Sequence, residues 1–335
     1  MATILTGNLT GNLTVDSNNR VTTGCSVSKY GNFIFFSNCP ETVTTAHLGD
    51  SGKWLGKIAG CSNYGMIYSW HKNTTGKTIL SFIRVRNTGA TSITVRFRSA
   101  GWGTNKLNPA GDAEAWKAYF SNTAMSSITI AAGKENDLFA QTVANNACFG
   151  IVSPIEISGG TAEISEIAHS GVLPALSAYA AKEAGFIRGK GGSYRLTLKI
   201  ENLVLTDTIK QAGATIGANS SNSFKGLDVI SLSDPGAASG DNVGDYGMHL
   251  VVELTVTNSS SNSISPIVIL GSRGGLLHTA VKLGASVVTC TNIPAYKYVE
   301  VISIGSLAKN ASGTVIFNTC VAAMSSTPVV IGVKY

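Results

Sequence analysis

Charge is what this chain has least of. Asp, Glu, Lys and Arg make up 13% of its residues, about half the share in an ordinary soluble domain. A surface so poor in charge does little to repel its neighbours. The net balance of +6 is spread along the sequence, whereas a nucleic-acid protein concentrates its Lys and Arg on one face. Nucleic acid is therefore disfavoured as a partner. No stretch approaches the ~20 consecutive apolar residues of a membrane helix. The mean hydropathy of +0.19 arises instead from short Val, Ile and Ala runs, and no membrane insertion is expected. The first residues lack both the basic start and the continuous apolar run of a secretory leader. That fits a protein assembled from the cytoplasm or one whose leader was removed.

Metal-binding and catalytic patterns are missing too. The six cysteines, Cys25, Cys39, Cys61, Cys148, Cys290 and Cys320, show no Cys-x-x-Cys spacing and no His at ligand spacing, so no metal or other cofactor is expected. Disulfides, within or between subunits, and buried free thiols both stay open. TTAHLGDSGKW, residues 44–54, contains fragments like both signatures of a chymotrypsin-like protease. His47 and Ser51 are four residues apart on one loop, however, and one tight turn cannot supply a serine, a base aimed at it and a buried carboxylate behind the base. The glycine-rich RGKGG (188–192) and GSRGG (271–275) do not match a phosphate loop. The chain is not expected to be an enzyme.

What the sequence does contain is strand pattern. YGNFIFFS (30–37), SITVRFR (92–98), YRLTLKI (194–200) and LVVELTVT (250–257) alternate between Asn, Gly and Ser boundaries, as in β-sandwiches and jelly rolls. Helical pattern is confined to 112–120 (DAEAWKAYF) and 173–183 (LPALSAYAAKE). Blocks recur in the same order in both halves: 80–103 with 250–275, the segment around Gly133 with that around Gly284, and the segment around Gly160 with that around Gly313. The reading is all-β, with two tandem antiparallel sandwiches. Residues 1–24 form an extended arm, 25–172 a first sandwich with a helical insertion, 173–190 a linker and 191–335 a second sandwich.

The arm, MATILTGNLTGNLTV, places Leu5, Gly7, Leu9, Gly11, Leu13 and Val15 on one face and polar residues on the other. A helix would bear about 1 kcal/mol for each of Gly7 and Gly11, so the segment is extended. It is expected either at the edge of the first sandwich or on a neighbouring subunit, where the leucines would fill pockets and the glycines admit close backbone approach. PVVIGVKY, at 328–335, is a further strand. Arg84, Arg86, Arg96 and Arg98 alternate with apolar residues in IRVRNTGATSITVRFR, a hairpin that would present four guanidiniums for an acidic polymer or a neighbour's carboxylates. Trp54, Tyr64, Tyr68, Trp70, Trp102, Trp116 and Tyr119 would suit core packing or a platform for a surface polysaccharide. Asn-x-Ser/Thr occurs at Asn8, Asn12, Asn73, Asn219, Asn258 and Asn310, as chance allows in a chain so rich in these residues.

FIFFSNCPETV (33–43), YSWHKN (68–73) and FIRVRNTGATSITVRF (82–97) give the first half a resemblance to a β-sandwich of surface-associated proteins from spore-forming Firmicutes. The resemblance implies a cell or spore surface and carries over no catalytic residue. The expectation is an extracellular or spore-surface structural subunit that polymerises with itself through its arm. A viral capsid or tail protein and a carbohydrate-binding module are the alternatives.

Overall fold

The computed structural model describes residues 2–7, 9–16, 18–98, 102–106, 110–217, 223–236 and 238–335. It is an all-β sandwich protein, with one α-helix among the described residues, Ala110–Ser121. The chain divides into two compact units. One comprises 31–194 and 230–242; the other comprises 1–30, 195–229 and 243–335.

The unit of 31–194 is built on two long antiparallel strands, Gly56–Asn73 and Cys148–His169, paired from Lys72↔Cys148 to Gly56↔Glu166. Their register slips between Ile157 and Ala162, where Gly60 and Gly159 take positive φ, a conformation that glycine reaches without steric cost. Before the slip Cys148–His169 pairs with Ile93–Phe97, and after it with Ile79–Asn87. The long strand therefore serves two neighbours. Side chains from these strands, including Ile67, Val85, Val95 and Ile155, bury one core together with Phe33 and Phe35 of the strand Phe33–Ser37. The helix adds Trp116 and Phe120, both buried. Tyr68, under it, donates its hydroxyl to Asp112 Oδ2 at 3.1 Å.

The other unit holds two six-stranded sheets. In one, Lys297–Ser303, Ile267–Ser272, Val329–Lys334 and Gln211–Ile216 lie side by side. The last stretch of sequence is thus an inner strand. In the other, the order is Ser286–Ile293, Leu277–Leu283, Ser312–Thr319, His249–Asn258, Arg195–Leu205 and Cys25–Tyr30. Leu196, Leu198 and Ile200 are buried opposite Leu250, Val252 and Leu254, the period of two read from the sequence.

Several expected boundaries change. Cys25–Tyr30 pairs with Arg195–Leu205 rather than opening the first sandwich. Residues 173–190 are neither a helix nor a linker. Ala178–Tyr179 pairs in parallel with Lys53–Trp54, and Arg188–Gly191 pairs with Phe33–Ser37. The pairing with Lys53–Trp54 and the tilted contact of the Tyr179 ring with Trp54, with centroids 5.6 Å apart, hold the segment extended. The hairpin Ile230–Leu232/Gly240–Asn242 joins the unit of 31–194. Arg188, with no exposed surface, holds it: Nε donates to Asp234 Oδ2 at 2.9 Å and Nη1 to the Cys39 and Leu55 carbonyls at 3.0 and 2.7 Å.

One local device explains the internal repeat. Among the described residues three strands end in an asparagine with no exposed surface, Asn73, Asn87 and Asn258. Each Nδ2 donates to the carbonyl four residues on and to a carbonyl outside its own loop: Lys77 and Val143 for Asn73, Thr91 and Ile130 for Asn87, Asn262 and Leu307 for Asn258. Each Oδ1 accepts the amide two residues on. The backbone amides of the three asparagines donate to Ala147, Lys134 and Ala311, which close turns with a left-handed residue at Asn146, Gly133 and Asn310. Gly133 therefore corresponds to Asn310, not to Gly284, which sits in the Leu283/Ser286 hairpin turn. The sequons at Asn73 and Asn258 are these clamps, since Thr75 and Ser260 bond the asparagine oxygen. Asn8 and Asn219 lie outside the described residues.

Candidate assembly site

The N-terminal arm lies on its own chain, along the sheet edge formed by Lys297–Ser303. Thr3 and Ile4 pair with Ser303 and Ile302, then Leu9, Gly11 and Asn12 with Val299, Tyr298 and Lys297. The amides of Leu5 and Leu13 donate to Val301 and Tyr296, both at 2.8 Å. This corrects the expectation of a seat on the first sandwich: the partner strand comes from the unit that carries the C-terminus.

The two faces fall as the alternation requires. Leu5, Gly7, Gly11 and Leu13 are half-buried and Val15 is buried, while Thr6, Asn12 and Thr14 are exposed. The side chain of Leu9 lies outside the described part. Both arm glycines are needed for contact. A Cβ at Gly7 would stand 2.5 Å from Cys290 Sγ, and one at Gly11 would stand 2.6 Å from Tyr298 Oη. Across the arm the fit is reciprocal, because a Cβ on Gly271 would meet Leu13 Cδ1 at 3.0 Å.

Past Asn12 the arm reaches the opposite edge of the same sheet. Thr14 donates to Gln211 Oε1 and Gln211 Nε2 to the Asn12 carbonyl, both at 3.0 Å. Beyond Thr14 the Asp16 amide donates to Asn19 Oδ1 at 2.6 Å, the Asn18 amide donates to Asp16 Oδ1 at 2.8 Å, and the Val21 amide donates to the Gly213 carbonyl at 2.9 Å. Among the bonds described these are mainly backbone or neutral, and Lys297 donates to Asn12 Oδ1.

The other candidate residues come apart. Ile79–Asn87 and Ile93–Phe97 do not pair with each other, so the four arginines are not presented on the two arms of one hairpin. Arg84 is engaged by Asp137 at 2.7 and 2.9 Å and by Glu135 at 3.0 Å. Arg86 stands in register with Glu135 and Glu163. Arg96 pairs with Glu156 at 2.9 Å, and Arg98 bonds the Tyr119 carbonyl while its guanidinium carbon lies 4.9 Å from that ring's centroid. Carboxylates on the partner strands, separate in sequence, balance the basic stripe. The aromatics divide likewise: Tyr68, Trp70 and Trp116 are core, Tyr64 is exposed, and the Trp102 side chain lies outside the described part.

All six cysteines are free thiols. Burial pushes Cys25 up to about 11 and Cys61 and Cys290 up to about 12. In the protease-like loop Asp50 accepts the Ser170 amide and hydroxyl at 2.9 and 2.7 Å, and His47 Nδ1 faces the Thr44 amide at 3.2 Å. Both residues are committed to loop closure.

A second triad-like set was not foreseen from the sequence: Ser37, His71 and Glu166, all with no exposed surface. Its geometry is that of an ion pair. His71 Nδ1 lies 2.6 Å from the Pro40 carbonyl and Nε2 lies 3.0 Å from Glu166 Oε2, so both ring nitrogens donate and the ring is an imidazolium. Burial opposes the charge, but Glu166 and the Pro40 carbonyl outweigh it and hold the His71 pKa above its usual value. Ser37 approaches the same Nε2, at 3.2 Å, and no nitrogen is left to act as its base.

No family model matches the chain, and no curated protein does. Among solved structures, a Pseudomonas syringae protein of unknown function from the DUF861 family is 9% identical over 80% of this chain and 82% of its own, with a TM-score of 0.13. A Bacillus subtilis oxalate decarboxylase variant is 8% identical over 82% and 69%, with a TM-score of 0.14. A Paenibacillus xanthan lyase is 11% identical over 82% of this chain and 23% of its own, with a TM-score of 0.16. Likeness at that level carries nothing over to this chain.

Proposed function

We propose that this chain is a structural subunit that assembles with copies of itself by exchanging its N-terminal arm. The reading rests on the seat of the arm: a strand added to a sheet edge, with two glycines in contacts closer than any Cβ permits. Every group that the arm uses is present on each copy, so the same seat accepts a neighbour's arm at little cost, as in domain swapping. Edge pairing supplies main-chain hydrogen bonds, and the alternating apolar face supplies register. Exchange from one copy to the next is a heterologous contact, which propagates into an open fibre unless rotation closes a ring. A chain with 13% charged residues suits large packed faces between copies. The extracellular or spore-surface setting rests on the resemblance at residues 33–97.

Negative-stain electron microscopy of the full chain beside a variant lacking 1–15 tests the reading. Fibres, sheets or closed particles from the full chain and dispersed subunits from the truncation support it. Monomers from both overturn it and leave glycan binding as the reading to test.

A further inference from the structure

Two apolar clusters fill the unit of 31–194, and a polar level runs between them. On the strand Ile79–Asn87, Ile79 belongs to one cluster and Ile83 to the other, and the core-facing residue between them is Ser81. On Cys148–His169 the same place, between Ile164 and Ala168, is taken by Glu166. On Glu135–Val143 it is taken by Gln141, between Leu138 and Val143, where a slip in register keeps all three buried. Gln141 is in register with Ser81, and Glu166 lies diagonal to Ser81, because Ala168 pairs with Ser81 and Glu166 with Ile83. Neighbours of these two kinds hold their Cβ atoms about 5–8 Å apart. Ser69 is in register with Ser37 and precedes His71 by two residues on one face of Gly56–Asn73. The contact of His71 Nε2 with Glu166 Oε2, at 3.0 Å, joins the two groups.

Four of these side chains carry polar atoms with no hydrogen-bond partner among the described residues: Ser69 Oγ, Ser81 Oγ, Gln141 Oε1 and Nε2, and Glu166 Oε1. None of the four residues is more than 4% exposed. Buried polar groups in a folded core are almost always bonded, so five such atoms at one level point to a ligand that bonds them. The set dictates its chemistry. Glu166 Oε1 and Gln141 Oε1 accept, Gln141 Nε2 donates, and the two hydroxyls can do either. A cation would stand against the His71 imidazolium and an anion against the Glu166 carboxylate, so the ligand is neutral. It must also be small, and both donor and acceptor.

We propose that Ser69, Ser81, Gln141 and Glu166 form a site for internal water in the core of this unit. A buried ion pair persists when hydrogen bonds satisfy the lone pairs that the pair itself leaves over. Water on Glu166 Oε1 does this for the His71–Glu166 pair, and the hydroxyls and the Gln141 amide hold the water in turn. The site thereby sustains a charged pair at a level where the two apolar clusters do not merge.

Nuclear magnetic resonance of the full chain tests the site. Gln141 and Gln211 are the two glutamines of the sequence, so labelling glutamine side chains with nitrogen-15 leaves two amide groups to follow. Cross-relaxation with water is measured in the laboratory frame and in the rotating frame. Opposite signs mark a long-held water, and like signs mark chemical exchange or passing solvent. Gln141 should show opposite signs, while Gln211, whose bonds to the arm are exposed, should not. The second measurement is the oxygen-17 relaxation dispersion of water, which reports molecules held inside the protein. Its amplitude should fall by the equivalent of about one water or more in Ser81→Val/Gln141→Leu. Like signs or no signal at Gln141, or an unchanged amplitude in the folded double variant, overturns the proposal. If the double variant does not fold, the Gln141 signal of the wild type decides alone.

Discussion

Replacing Asn73 by Ala should destabilise the unit of 31–194 far more than one uncharged residue near a loop ordinarily would. Its Nδ2 lies 2.8, 3.1 and 3.0 Å from the carbonyls of Lys77, Val143 and Ala144, and its Oδ1 accepts the Thr75 amide and hydroxyl at 3.0 and 2.8 Å. At about 1 kcal/mol net for each of three or four effective bonds, with a further cost for buried groups left unpaired, the loss is ~3–5 kcal/mol. A shift of about 2–4 °C per kcal/mol in a unit of this size lowers the melting midpoint by ~10 °C. Tryptophan fluorescence during denaturation is the assay, because Trp54, Trp70, Trp102 and Trp116 all lie in this unit. Asn145→Ala is the control, since its Oδ1 accepts the exposed Gly76 amide at 2.9 Å, a loss of under about 1 kcal/mol. Equal effects of the two substitutions would refute the clamp.

Other outcomes follow from the same geometry. Gly7→Val places a side chain on Cys290 Sγ at a residue with φ of 72°; the arm should lift and Cys290 should label faster with a thiol reagent, measured by peptide mass spectrometry, and unchanged labelling would place the arm elsewhere. Arg188→Met leaves Asp234 buried without its guanidinium and should cost ~3–5 kcal/mol in denaturant unfolding, with part recovered on adding Asp234→Asn. The His71–Glu166 pair should contribute stability that is complete below the unfolded histidine pKa and is lost as pH rises through the raised folded value. The difference in denaturation midpoint between wild type and His71→Gln should therefore shrink at high pH, and a constant difference would remove the imidazolium.

Local pattern was legible in the sequence, and partner choice was not. FIFFS, ITVRF and the strand around LVVELTVT all lie where their alternation or β-branched content puts them, because one buried face imposes the period of two. The helix over 112–120 was legible as well and extends to Ala110–Ser121. The arm's two faces could be read, but its edge could not, since nothing in MATILTGNLTGNLTV specifies Lys297–Ser303 over another unpaired strand. The arginine stripe failed for the same reason: the residues alternate as expected, yet the two strands pair with successive stretches of Cys148–His169 instead of with each other, and the strands beside them bring the carboxylates. Matching Gly133 to Gly284 went wrong because the left-handed turn position accepts Asn as well as Gly, and Asn310 fills it. In 173–183, alanine-rich helix propensity yields to the pairing with Lys53–Trp54.

The most direct test of arm exchange uses the pairing of Ile4 with Ile302. A chain carrying only Ile4→Cys is mixed with one carrying only Ile302→Cys, assembled and oxidised, so that the new disulfide can form only between chains. Arm exchange predicts a covalent pair of chains, absent when either variant is oxidised alone. No such product, alongside an intrachain bond in the chain bearing both substitutions, would show that the arm stays on its own subunit and would contradict the account.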